Sequence, residues 1–152
     1  MRAVLEHAQV GEELMTVAAG IRRCVRRQLR GAIDPPLRDT QVELLRTVEE
    51  SPGIGVAAAA RAMHLADNSV STLVNQLVEL GMLRREVSPA DRRAARLSLT
   101  GAAVRRLAAW RQARGELVGA HLARLPAPDR ETLARALPAL RRLLDELAGG
   151  AP

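Results

Sequence analysis

LADNSVSTLVNQLVELGMLRREVSPADRRAARLSLT, residues 65–100, is the stretch whose reading decides the fold. Its first half has a helical period. Val70, Leu73, Val74, Leu77 and Leu80 fall on one side, with Ser69, Ser71, Thr72, Asn75 and Gln76 largely on the other. The spacing predicts a helix that begins after Leu65, capped by Asp67 or Asn68, and stops at Gly81, placed as a left-handed C-cap. Beyond Gly81 the period becomes alternating. Leu83, Arg85 and Val87 interleave with Arg84 and Glu86, and Ala95, Leu97 and Leu99 with Arg96 and Ser98. Ser88-Pro89-Ala90-Asp91 supplies the turn chemistry between them, so two short strands joined by an Arg-rich loop are expected.

Working outward, a first helix is expected up to about Arg30, with Leu14, Ala18, Ile21, Val25 and Leu29 as its apolar stripe. Gly31 and Asp34-Pro35-Pro36 end it. A second helix is expected from an N-cap at Thr40, with Glu43 completing a capping box and Val42, Leu44, Leu45 and Val48 facing inward. A short, Ala-rich third helix spans about Gly55 to His64. After the hairpin, Thr100 should cap a helix over about Gly101 to Arg124, with Val104, Leu107, Trp110, Leu117 and Leu122 as its apolar positions. A last helix follows, about Asp129 to Leu147, with a kink or split expected near Leu137 because Pro138 sits inside it. Two short helices joined by a tight turn and followed by an arginine-tipped hairpin make a winged helix-turn-helix pattern. The fold class is mainly α with a small β-hairpin wing.

Composition bounds the function. The chain has 152 residues, enough for one domain with its own core. No apolar run approaches a membrane span, and the first twenty residues lack the apolar core of a signal peptide. A single cysteine, Cys24, cannot form an internal disulfide, which fits a reducing cytoplasm. Net charge is +6, and all 23 basic side chains are arginine. Between Arg84 and Arg106 stand seven arginines against two acids, Glu86 and Asp91. That local excess is the footprint a polyanion is drawn to.

The helix over residues 67–80 is the candidate recognition element. A major groove about 12 Å wide admits one helix, and base edges are read by short polar donors and acceptors. Asn68, Ser69, Ser71, Thr72, Asn75 and Gln76 are groups of that kind. Any amphipathic helix has a polar face, so the hairpin matters. Arg92, Arg93 and Arg96 would project from a slender ribbon able to reach a minor groove, whose negative potential attracts guanidinium groups. Asp91, two residues before Arg93, can orient it by an ion pair.

At these residues the sequence resembles the MarR family of regulators. Leu65 through Leu77, the exit Gly81-Met82-Leu83-Arg84-Arg85, and Asp91 through Thr100 carry the likeness, the last looking like the family's Asp-x-Arg wing signature ending in Leu-Thr. The resemblance implies one domain over 1–152: a DNA-binding lobe at about 37–100, and dimerisation helices at about 1–33 and 101–148. It also implies a homodimer on double-stranded DNA at an inverted repeat, many relatives being repressors released by a small ligand or oxidant. Arg93 would be the minor-groove arginine, supported by Asp91. Gly101 directly after Thr100 departs from the usual pattern, as does a chain without Tyr or Phe to line an effector pocket.

Cys24 and Trp110 are the candidates for a redox or effector site. Ile21 and Val25 suggest that Cys24 lies on a half-buried stripe, whereas a reactive thiol needs access. His7, His64 and His121 are scattered, so no metal site is expected. No phosphate-binding loop, nucleophile elbow or hydrolase motif occurs, so neither catalysis nor a cofactor is expected. The alternatives are a redox-responsive regulator acting through Cys24, and a winged-helix protein-interaction module without DNA binding.

Overall fold

A computed structural model describes residues 2–88 and 91–149, and for residues 2–5, 87, 88 and 91–94 only the backbone course. The elements are α1 (Arg2–Gln28), α2 (Asp39–Glu50), α3 (Val56–Ala62), α4 (Asp67–Glu79), β1 (Leu83–Ser88), β2 (Asp91–Leu99), α5 (Gly101–Leu122) and α6 (Ala127–Gly149). The chain divides into two compact units, Met1–Ala113 and Arg114–Pro152, with the boundary inside α5.

In the first unit one apolar cluster joins α2, α3, α4, the hairpin and the start of α5. Leu44, Leu45, Val48, Val70, Val74, Leu77 and Leu97 are its largest fully buried side chains. Ala59 and Ala60 are also fully buried, and their small side chains let α3 pack closely. The α3–α4 turn needs a left-handed residue, and His64 takes that role at φ 52°. The hairpin is antiparallel, with Leu83 opposite Leu99, Arg85 opposite Leu97 and Glu86 opposite Arg96. The segment before α3 extends the pairing: Gly53 N–H donates to Leu97 O at 2.9 Å, and Leu97 N–H to Ile54 O at 3.0 Å.

Several local expectations are corrected. α2 starts two residues early, with Arg38 rather than Thr40 as its N-cap. Gln41, not Glu43, reaches back: its Oε1 accepts the Arg38 backbone N–H at 2.9 Å. The reciprocal half cannot form, because an arginine side chain has no acceptor. Gln41 also takes a buried place on the inner face, where Val42 is only half-buried. α4 is capped by Ala66, with no side-chain bond at the cap. Leu80, expected inside, is 45% exposed, because it follows the last helical residue and turns away from the stripe. On α5 the inward positions are Ala103, Arg106 and Leu107, while Val104 is exposed. Helix α6 begins two residues early, with Pro128 in its first turn, where a missing N–H costs nothing. It runs through Pro138 without splitting.

Gly81 does adopt the left-handed conformation, at φ 67°. Thr100 does cap α5: its Oγ1 accepts the Ala103 N–H at 3.2 Å and donates to Gly81 O at 2.6 Å. Arg106 is buried against the α1–α2 connector, its Nε donating to Pro35 O at 3.0 Å while Nη1 lacks a partner among the described residues. Burial lowers its pKa below the ordinary arginine value, and the charge of Asp34 opposes that effect.

In the second unit α6 presents Leu133, Leu137, Leu140, Leu143, Leu144 and Leu147 as exposed side chains. Arg130 Nη1 closes the preceding turn by donating to Leu125 O.

Replacing Thr100 with Ala removes a helix cap and a bond to the end of the α4 turn together, so Thr100→Ala is expected to cost about 1–2 kcal/mol. Arg106→Ala leaves Pro35 O without its donor and empties the space of the arginine stem, for a loss of about 2–3 kcal/mol. Urea denaturation of each variant measures both values.

Candidate nucleic-acid interface

Helix α4 owes its two faces to its sequence. Val70, Val74 and Leu77 are buried, which turns the opposite side outward. Asn68, Thr72 and Asn75 are exposed on that side, one helical turn apart. Ser69 is also exposed, while Ser71 and Gln76 are half-buried at the flanks. Part of this polar face is already committed. Asn68 Oδ1 accepts the Ser69 N–H at 2.8 Å, and Thr72 Oγ1 donates to Asn68 O at 3.0 Å. The Thr72 hydroxyl keeps its lone pairs, Asn68 keeps its amide N–H groups, and the Asn75 side chain has no hydrogen bond among the described residues.

Gln76 is held. Gln41 Nε2 donates to its Oε1 at 3.1 Å, across 35 residues of sequence. The two amides border a concavity of about 380 Å³ lined also by Pro36, Arg38, Glu79 and Leu80. Sequence reading missed Gln41. A usable signal was present, since a Gln three residues after the true N-cap is the returning half of a capping box.

The hairpin is placed directly after α4, and Arg84, Arg85, Glu86 and Arg96 are exposed on it. Arg84, Arg85 and Arg96 form no ion pair among the described residues. β2 starts at Asp91, so Arg92 and Arg93 stand on strand backbone rather than on the expected loop. The side chains of Asp91, Arg92 and Arg93, and the turn residues Pro89 and Ala90, lie outside the described residues.

The two remaining candidates do not join this surface. Trp110 is half-buried, with the Arg46 guanidinium 4.9 Å from its ring centroid, a stacking contact between α5 and α2. Arg111 and Glu49 bridge the same pair of helices at 2.8 Å. Cys24 is exposed on α1, not half-buried as expected, because Ile21 on the same stripe is itself 55% exposed. His7, His64 and His121 are exposed, and the described residues hold no group of three metal-ligating side chains. No helix among them is long and apolar enough to cross a membrane.

Residues 36–94, from the α2 entry to the wing, match the family model described as MarR family. The winged-helix lobe is similar to the MarR family. A Thauera aromatica protein assigned to transcriptional regulation of the hcr operon is 36% identical over 99 residues. That match covers 65% of this chain and 60% of the relative, so the chain spans less than two thirds of the relative's length. A transcriptional-regulator structure from Pseudomonas aeruginosa superposes with a TM-score of 0.77 at 27% identity, covering 91% of this chain and 96% of the other. A mutant of Staphylococcus aureus MepR bound to an oligodeoxyribonucleotide superposes at 0.66 with 17% identity, covering 89% and 97%. At that identity the likeness to MepR is one of fold. The fold is that of the MarR winged-helix structures.

Because Cys24 is exposed, Cys24→Ser is expected to move stability by less than about 0.5 kcal/mol. Comparison of urea midpoints checks it, and a larger loss would mean that the thiol is packed.

Proposed function

We propose that the chain is a sequence-specific regulator of transcription that binds double-stranded DNA as a homodimer on an inverted-repeat operator. The observation that carries this reading is the exposed polar line Asn68, Thr72 and Asn75 on α4, next to a hairpin whose arginines form no ion pair among the described residues. In the reading, α4 enters a major groove, with Asn68, Ser69, Ser71, Thr72, Asn75 and Gln76 as its contact set. Asparagine offers the donor–acceptor pair that suits adenine, and the Thr72 methyl suits thymine. Arg92, Arg93 and Arg96 on the wing serve the minor groove and its phosphates, Asp91 holding Arg93 in place. The oligonucleotide bound by MepR on the same fold supports this mode.

Homodimerisation is supported by large apolar side chains that are exposed among the described residues. Val10, Met15, Val17 and Ile21 on α1 are each more than half exposed, and α6 carries its own row of exposed leucines. A second copy buries such surface at about 25 cal/mol per Å². Two recognition helices then meet successive major grooves roughly 34 Å apart. By likeness to the family, the regulator is a repressor acting in the cytoplasm, and a small-molecule effector changes the spacing of the two lobes and so weakens binding. The reading assigns no catalytic residue and no cofactor.

Electrophoretic mobility shift against duplexes selected from a random pool tests the proposal. Binding is expected to fall steeply between low and high salt, as phosphate contacts require. Arg93→Ala is expected to cost about 1–3 kcal/mol of affinity and Asn75→Ala a similar amount at one base position. A chain that stays monomeric and enriches no sequence at low ionic strength would refute the reading.

A further inference from the structure

The hydrogen-bond partners of the two amides between α2 and α4 fix the orientation of each. The Arg38 backbone N–H can only donate, so the Gln41 atom it meets at 2.9 Å is the oxygen. Gln41 therefore turns its Nε2 toward Gln76, and the atom it meets there at 3.1 Å must be an acceptor, Gln76 Oε1. Gln41 is 7% exposed, so Gln76 Oε1 is engaged toward α2 by a partner largely withdrawn from solvent. The Nε2 of Gln76 lies at the other end of the same planar group and forms no hydrogen bond among the described residues. Both ends of an unrestrained glutamine amide are available to adenine, as acceptor to N6 and donor to N7. This one has its acceptor turned away.

We propose that Gln41 fixes Gln76 as a donor-only group on the recognition helix, so that it selects a hydrogen-bond acceptor on the duplex and discriminates against bidentate pairing with adenine. The acceptor is guanine O6 or N7 or thymine O4 if Gln76 reaches a base edge, and a phosphate oxygen if it reaches the backbone. Gln41 itself touches no DNA. It is a positioning residue, and it deepens the proposed DNA-reading role of α4, on which this inference rests.

The test is sequence selection from a random duplex pool with the full chain and its Gln76→Ala and Gln41→Glu variants. The wild type is expected to enrich guanine or thymine at a position in each half-site whose preference Gln76→Ala erases, with affinity for the selected duplex about 5- to 100-fold lower. Contact with a phosphate gives instead the same weakening for every sequence. In Gln41→Glu the carboxylate still accepts the Arg38 N–H but has nothing to donate. The Gln76 amide must then turn its NH₂ inward and its oxygen outward. The preferred base is expected to move to cytosine or adenine, which present an amino donor, or binding to all sequences weakens where the contact is a phosphate. If Gln41→Glu does not fold by circular dichroism, Gln76→Glu makes the same exchange of outward donor for outward acceptor and is expected to give the same change. Gln76→Ala with the wild-type profile and affinity, or a glutamate variant that retains both, overturns the inference while leaving DNA reading intact. A wild type that enriches no duplex overturns both.

Discussion

The hydroxyl of Thr100 sits where three elements must meet. It donates to Gly81 O, at the turn that ends the recognition helix, and accepts the N–H of Ala103, in the first turn of α5. The backbone N–H of the same residue donates to Met82 O at 3.1 Å, at the root of the wing. A helix terminus leaves N–H and C=O groups that must be satisfied, and here one side chain serves the end of one helix and the start of the next. The arrangement requires the chain to leave α4 sharply, which the left-handed Gly81 permits, and requires β2 to return to the same place, which the Leu83–Leu99 pairing secures. The wing is thereby set close behind the recognition helix. The arginines of the hairpin and the polar face of α4 would otherwise have no fixed relation.

Around that joint the apolar packing is built from aliphatic side chains and two methionines, Met63 and Met82. Leu44, Leu45, Leu77 and Leu97 fill the centre, and Ala59 and Ala60 bring α3 close to them. With no Phe or Tyr in the chain, no large ring anchors the cluster, and its shape depends on how closely backbones approach. Arg46 stacked on Trp110 and Arg111 paired with Glu49 add polar ties at the rim between α2 and α5. Being exposed, the ion pair contributes little to stability, but the two contacts act on the same seam.

The elements legible in the sequence were those whose signal is a period or a single special residue. The change from helical to alternating spacing after Gly81 marked the end of α4 and the start of the hairpin, and Thr100 marked the start of α5. What escaped depended on atoms that meet only after folding. The capping-box position of Gln41 is a local mark, but it shows only once Arg38 is known as the cap, and its second partner, Gln76 Oε1, comes from a helix 35 residues away. Arg106 reads as one more surface arginine, but it occupies an inward position of α5 because the connector supplies Pro35 O as an acceptor there. Helix starts slipped by one or two residues where the cap is Arg38 or Ala66, residue types whose side chains offer the backbone no acceptor and so leave no mark in the sequence. The polar line of α4 was legible as a surface; which of its groups remain free was not, since the bonds Asn68 and Thr72 make are local but invisible to periodicity.

The arginine excess can be sorted once these contacts are known. Arginine content alone says little about nucleic acid when it replaces lysine throughout the chain. Inside the first unit Arg26, Arg46, Arg106 and Arg111 are engaged, by Asp39, Trp110, Pro35 O and Glu49 respectively. Those guanidinium groups serve the fold, and an anion approaching them competes with a partner already in place. Arg84, Arg85 and Arg96 are different: they are exposed on the hairpin and form no ion pair among the described residues, although Glu86 stands opposite Arg96 in the register. A charge without a protein partner keeps its full attraction for a polyanion at the surface, falling off over about 8 Å at physiological salt. The net +6 is therefore unevenly available, and on the ribbon that Thr100 holds behind the recognition helix Arg84, Arg85 and Arg96 stand exposed with no ion pair among the described residues.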